Sequence, residues 1–114
     1  QNTNFDNSVS VDVKAMSLGA GSHILDLNRN ANFKLTLSGN ITLVNPAELT
    51  AGTTGSIFIV QDGTGSRTVS YGTSWDFIGG TAPTMTTAAS SVDRIDYIVL
   101  DSTNIHAVAT LAYS

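Results

Sequence analysis

The side chains best able to move protons are two histidines, His23 and His106, and nine carboxylates. A nucleophilic triad needs a Ser or Cys, a His and an orienting acid within hydrogen-bond reach. Serine and acids are plentiful, so composition permits such a triple without specifying one, and the elbow Gly-x-Ser-x-Gly is absent. Ordinary strand histidines beside apolar neighbours are the preferred reading. Asp93, Asp96 and Asp101 gather near the C-terminal end, and Asp76 stands beside Trp75. Two acids facing each other across a cleft hydrolyse glycosides at a defined separation. Arg94 and Asp96, two apart on a strand, share one face, so a structural ion pair is expected. That pairing takes Asp96 out of any two-acid mechanism.

The run Asp62-Gly63-Thr64-Gly65-Ser66-Arg67 has the glycines of a phosphate or calcium loop. It lacks the lysine and spacing of the first and the alternating acids of the second, and reads as a hairpin turn. With no cysteine and two distant histidines, a zinc site has no basis. No cofactor and no metal are expected. Asn40-Ile41-Thr42 matches a glycosylation acceptor, but Asn40 is also the turn residue expected there. The segment Tyr71-Gly72-Thr73-Ser74-Trp75-Asp76-Phe77 is the most suggestive. Tyr71 and Trp75 could stack on sugar rings while Asp76 accepts from their hydroxyls, which is binding without catalysis. In the competing and favoured reading, Trp75 and Phe77 plug one end of the fold or an oligomer interface.

The elements that must position these residues are strands. Apolar residues alternate with polar ones through Ser8–Ala15, which predicts Val9, Val11, Val13 and Ala15 inward. The same period in Asn32–Ser38 predicts Phe33, Leu35 and Leu37 inward. His23–Leu27 reads as a short strand. Ser38-Gly39-Asn40 is expected to join Phe33–Leu37 to Ile41–Val44 as a hairpin. Asn45-Pro46-Ala47-Glu48-Leu49 could make one helical turn, with Asn45 as cap and Pro46 at the first position. Ile57-Phe58-Ile59-Val60 is a continuous apolar run, the mark of a strand covered on both faces. Tyr71–Pro83 reads as a long loop. Ile95–Leu100 and Ile105–Tyr113 form a second hairpin around Asp101-Ser102-Thr103-Asn104.

About eight short strands with frequent turns predict an all-β fold, an antiparallel β-sandwich or jelly roll with at most one helical turn. No short-period repeat is visible, which argues against a β-helix or propeller. Length favours one domain spanning 1–114, with 1–7 as a loose arm. Charged residues are only 12% of the 114, net charge is −4, and the five basic residues form no run. Nucleic-acid binding, which rests on clustered Lys and Arg, is excluded. So is a membrane-spanning helix, for want of a long apolar stretch.

From Phe33 onward, the order of several segments resembles tailed-bacteriophage virion proteins. These segments are Phe33-Lys34-Leu35-Thr36-Leu37-Ser38-Gly39-Asn40, Gln61-Asp62-Gly63-Thr64-Gly65-Ser66-Arg67-Thr68-Val69, Gly79-Gly80-Thr81-Ala82-Pro83, Val92-Asp93-Arg94-Ile95-Asp96-Tyr97 and Asn104-Ile105-His106-Ala107. The resemblance is in particular to the C-terminal β domains of tail-fibre-like and capsid-decoration proteins. The resemblance implies a non-enzymatic structural role at the virion surface, as a homotrimer in contact with other virion proteins, and it supplies no catalytic or ligand residues. Two further readings stand beside it. One is a receptor- or glycan-binding fibre tip using Tyr71, Trp75 and Asp76. The other is a secreted filament subunit whose N-terminal strand completes a neighbour's sheet.

Overall fold

The computed structural model describes residues 12–113. Among them, nine strands form two sheets. They are β1 (Val13–Leu18), β2 (Gly21–His23), β3 (Asn32–Leu37), β4 (Ile41–Leu43), β5 (Thr54–Gln61), β6 (Val69–Tyr71), β7 (Trp75–Phe77), β8 (Val92–Asp101) and β9 (Asn104–Thr110). The larger sheet has the order β1-β3-β5-β8-β9-β7 and the smaller β2-β4-β6. The all-β expectation holds, but the antiparallel one needs correction. Pairing is parallel for β1/β3, β3/β5, β2/β4, β4/β6 and β7/β9, and antiparallel only for β5/β8 and β8/β9.

The first six strands make three stacked rungs. Each rung lays a longer strand in the large sheet, turns a corner and lays a three-residue strand in the small one. This is solenoid-like stacking, which the missing repeat argued against. The coils differ in length: Val13 pairs with Asn32, whereas Phe33 pairs with Ile57. Unequal coils leave no fixed period in the sequence.

The three expected hairpin turns fare differently. Ser38-Gly39-Asn40 and the Asp62–Thr68 stretch are corners between sheets, not hairpin turns, because β3 and β4, like β5 and β6, lie in different sheets. Corner polar groups are satisfied by the neighbouring rungs. The Asn40 carbonyl accepts from Gly21 N at 3.1 Å, and its Oδ1 accepts from Thr68 N at 3.0 Å. Gly39 is required by this stacking, since a Cβ there would sit 2.5 Å from Ala20 N. The β8/β9 hairpin forms as expected, with Asp101 Oδ1 accepting from Thr103 N at 2.9 Å and Asn104 Nδ2 at 2.8 Å.

Phe33, Leu35 and Leu37 are buried, with Ile57 and Ile59 beside them on β5 and Ile95, Tyr97 and Val99 beyond on β8. Ile41 and Leu43 of the small sheet join the same core. Each such side chain contributes about 1.5–3 kcal/mol by leaving water. The predicted phase of β1 is reversed: Val13 is 49% exposed and Ala15 exposed, whereas Met16 is half-buried and Leu18 buried. Parallel register sets Met16 against Leu35 and Leu18 against Leu37, and that decides which face turns inward. Val9 and Val11 lie outside the described residues, as does the proposed arm 1–7.

Three local expectations also change. Strand β2 stops at His23, although Leu25 and Leu27 remain buried in the connection that follows. The helical turn is a 3-10 turn at Ile78–Gly80, not at Asn45–Leu49, where Glu48 has a left-handed φ of 54° incompatible with a helix. The long loop contains β7, which pairs with β9.

Candidate functional site

Tyr71 ends β6, Trp75 and Asp76 start β7, and a three-residue link keeps them close. Gly72 N donates to Leu43 O at 2.8 Å, and Asn45 Oδ1 accepts from Ser74 N at 2.7 Å. Asn45, read as a helix cap, instead clamps this link, with its Nδ2 donating to Thr73 Oγ1 at 3.0 Å. Tyr71, Gly72, Trp75, Asp76 and Phe77 then line one groove of about 310 Å³, closed by Gly80 and Ala82.

Within that groove the three residues have different roles. Trp75 is 5% exposed, its Nε1 donates to Val44 O at 3.3 Å, and its ring meets Tyr97 edge-on at 6.3 Å. Its ring is occupied by the core and offers no free face for a sugar. Tyr71 is half-buried and packs edge-on to Phe77 at 4.7 Å. Its hydroxyl is buried without a protein hydrogen-bond partner. Burial, aided by the Asp93 charge, pushes its ionisation far above the ordinary tyrosine range. Asp76 alternates away from Trp75 and stands opposite His106 of β9. The groove therefore presents a tyrosine, a phenylalanine and glycine backbone, with Asp76 lining it from β7.

The remaining acids are separated by the strands that carry them. Asp93 is 1% exposed, and its carboxylate accepts from Thr86 N at 2.6 Å and Ala112 N at 2.7 Å. It ties the loop before β8 to the segment after β9. Asp96 faces the other way, with Arg94 Nε at 3.0 Å and Ser56 Oγ donating at 2.6 Å, so the expected ion pair is present. Asp101 is consumed by its turn, whose backbone and side-chain donors hold its carboxyl below the usual range. Asp62 accepts from Arg67 at 3.1 Å and from the Thr64 and Gly65 amides at 3.0 Å. The Arg67 bond first, then the Gly65 amide, lowers its ionisation. The loop that resembles an anion or cation cradle is thus organised around its own Asp62.

His23 Nε2 lies 2.7 Å from Gly19 O at a rung corner, and His106 is exposed on β9. They occupy different sheets. Among the described residues, no group of three or more His, Asp or Glu is placed to hold a metal ion. Asn40, the glycosylation match, is used in the corner contacts.

Residue-by-residue chemistry missed a surface. Ile98 is 49% exposed, Val108 44% and Ile78 79%, and these three line one shallow depression with His106 and Asp96. The available signal was the unbroken apolar run Tyr97-Ile98-Val99-Leu100, which implies cover on both faces of β8. Among the described residues, the fold supplies cover on one.

No curated protein and no solved structure matches the chain. A family model does, over residues 20–109, and its range takes in all three rungs except β1 and nearly the whole β8/β9 hairpin. The chain belongs to the family described as "Putative phage tail fibre C-terminal domain".

Proposed function

We propose that this chain is a non-enzymatic structural domain of a bacteriophage tail fibre, folding as one unit over 1–114 and self-associating as a homotrimer at the virion surface. Its family makes it a structural component of the virion, and supports the fibre over the capsid-decoration alternative. The observation that carries self-association is the surface itself. Ile78, Ile98 and Val108 line one depression and are each at least 44% exposed, on a chain with 12% charged residues. Clustered apolar exposure of this kind marks contact with a partner. Light scattering after gel filtration, across a dilution series, tests it. The expected mass is three times the 11.9 kDa of one chain, and a folded monomer at every concentration would refute it.

A second reading, receptor or glycan contact, rests on the groove of Tyr71, Trp75 and Asp76. In it Tyr71 and Phe77 supply apolar contact, Asp76 accepts from hydroxyls, and Trp75 braces the wall. Asp76→Ala should abolish binding to host-surface glycan with the fold unchanged, and unchanged binding would remove the groove from consideration. The filament reading has less support. Residues 13–18 already pair with β3 of their own chain, and the rest of the donor segment lies outside the described residues.

A further inference from the structure

We infer that the bond between Asp62 and Gly63 is a latent site of backbone isomerisation, and that the folded corner, with Arg67 across it, guards it. Among aspartates, one followed by glycine is the most open to this change, because glycine puts no side chain in the way of the attack. Asp62-Gly63 is the one such pair in the chain. In the step, the Gly63 nitrogen bonds to Asp62 Cγ, and the Gly63 amide proton leaves with the carboxyl OH as water. The product is a five-membered imide. A second water then reopens either imide C–N bond. One route returns Asp62, and the other leaves an isoaspartyl link, with the main chain running through Cβ and Cγ.

The attack needs a carboxyl that is protonated, so that OH can leave, and free to turn its plane toward the Gly63 nitrogen. The corner opposes both. Asp62 Oδ1 accepts from Thr64 N and Gly65 N, each at 3.0 Å, and Oδ2 accepts from Arg67 Nη2 at 3.1 Å. Donors on both oxygens fix the carboxylate plane, and the same donors favour the ionised form. Arg67 is itself held by buried Gln61, whose Oε1 accepts from Arg67 N at 3.0 Å while its Nε2 donates to Arg67 O at 2.8 Å. The segment before β8 ties down the same loop, with Ser90 N donating to Asp62 O at 3.0 Å and Ser66 N to Thr87 O at 2.7 Å. The Asp62 and Arg67 side chains are each 25% exposed and Gly63 is exposed, so water reaches the site. The guard is therefore hydrogen bonding, not burial. An isoaspartyl link would lengthen the main chain at this corner and turn the Asp62 carbonyl, the acceptor of Ser90 N, into a free carboxylate.

The test incubates the whole chain at neutral pH in heavy-oxygen water, either folded or unfolded in urea. Each passage through the imide leaves one heavy oxygen in the proteolytic peptide that contains Asp62, and chromatography separates the isoaspartyl form. Passage should be at least about tenfold slower in the folded chain, because reaction there waits on local opening. Equal or faster passage in the folded chain overturns the proposal. Gly63→Ala adds a Cβ that meets nothing within 4 Å, so the fold should be kept. Its label in urea should fall sharply, and unchanged label would show that the oxygen enters elsewhere and overturn the site. Arg67→Gln should raise passage in the folded chain by about two- to fivefold, the range of an exposed ion pair, with the urea rate unchanged and a native circular dichroism spectrum. Arg67→Lys keeps the charge without the planar fork and should fall between. Folded rates for both variants equal to the parent's would overturn Arg67 as the guard.

Discussion

The two halves of the large sheet are built from the same inward apolar period but held by different means. In the rung half, β1, β3 and β5 run parallel, and the Gly39–Asn40 corner depends on residues far away in sequence: Gly39 against Ala20, Asn40 with Gly21 and Thr68. In the hairpin half, β8 and β9 run antiparallel around a turn closed by its own Asp101, Thr103 and Asn104. Their outer faces differ in mix: β1 and β3 present Val13, Ala15, Ser17, Lys34 and Thr36, whereas β8 and β9 set Ile98 and Val108 among Arg94, Asp96 and His106. The hairpin half pairs with the last rung along one edge and, among the described residues, leaves Ile98 and Val108 exposed on its outer side.

The comparison breaks first, and with the largest effect, at shared core and corner positions. Leu35→Ala, at a site 0% exposed between β1 and β5, should cost about 2–5 kcal/mol in urea unfolding. A smaller loss would mean the rungs are not packed as described. Gly39→Val should cost about 1–3 kcal/mol or more by overpacking the corner. An equal loss from Ser102→Val in the hairpin turn would erase the distinction between distant and local corners.

Asp93→Ala comes next. It leaves the half-buried Thr86 amide and the exposed Ala112 amide without their acceptor, and an orphaned donor costs up to about 1–3 kcal/mol where water cannot replace the bond. Proton exchange at those two amides should rise well before that of the core strands, and uniform exchange would contradict a local tie.

Alkaline pH gives a milder test. Tyr97 donates to Ala31 O at 2.6 Å, and burial pushes its ionisation from 10.0 up to about 12. The folded state keeps its proton where the unfolded state has lost it. This contribution is therefore complete below pH 10 and disappears as pH rises toward 12. The thermal midpoint should fall across that window with tyrosinate absorbance appearing together with unfolding, and Tyr97→Phe should flatten the fall.

The smallest effect is expected at the hairpin turn. Asp101 and Asp62 both have lowered ionisation, so their contributions hold above about pH 3.8 and are lost on acidification below it. Asp101→Asn should remove part of that acid sensitivity with little change in the midpoint at pH 7. A large loss at neutral pH would show the local turn to be as critical as the rung corners.

The amount legible from sequence follows the same division. The β8/β9 hairpin and the Arg94–Asp96 pair could be read because their partners lie a few residues apart. The corners at Gly39 and Asp62 were misassigned because a glycine-rich turn looks the same whether the next strand pairs beside the last one or leaves for another sheet. Trp75 was ambiguous for a similar reason: its type suits a binding surface or a core, and only its contacts with Tyr97 and Val44 decide.

Alternation along Asn32–Ser38, with the short apolar runs and frequent turn residues after it, determined by itself that the fold is all-β and that Phe33, Leu35 and Leu37 face inward. Strand period is a property of the local backbone and needs no knowledge of neighbours. Tertiary structure alone decided that the rungs stack in parallel, that β1 turns Met16 and Leu18 inward in place of Val13 and Ala15, and that, among the described residues, the outer side of β8 is left uncovered. Those outcomes depend on which strand lies alongside, and parallel partners are set by contacts between residues a full coil apart.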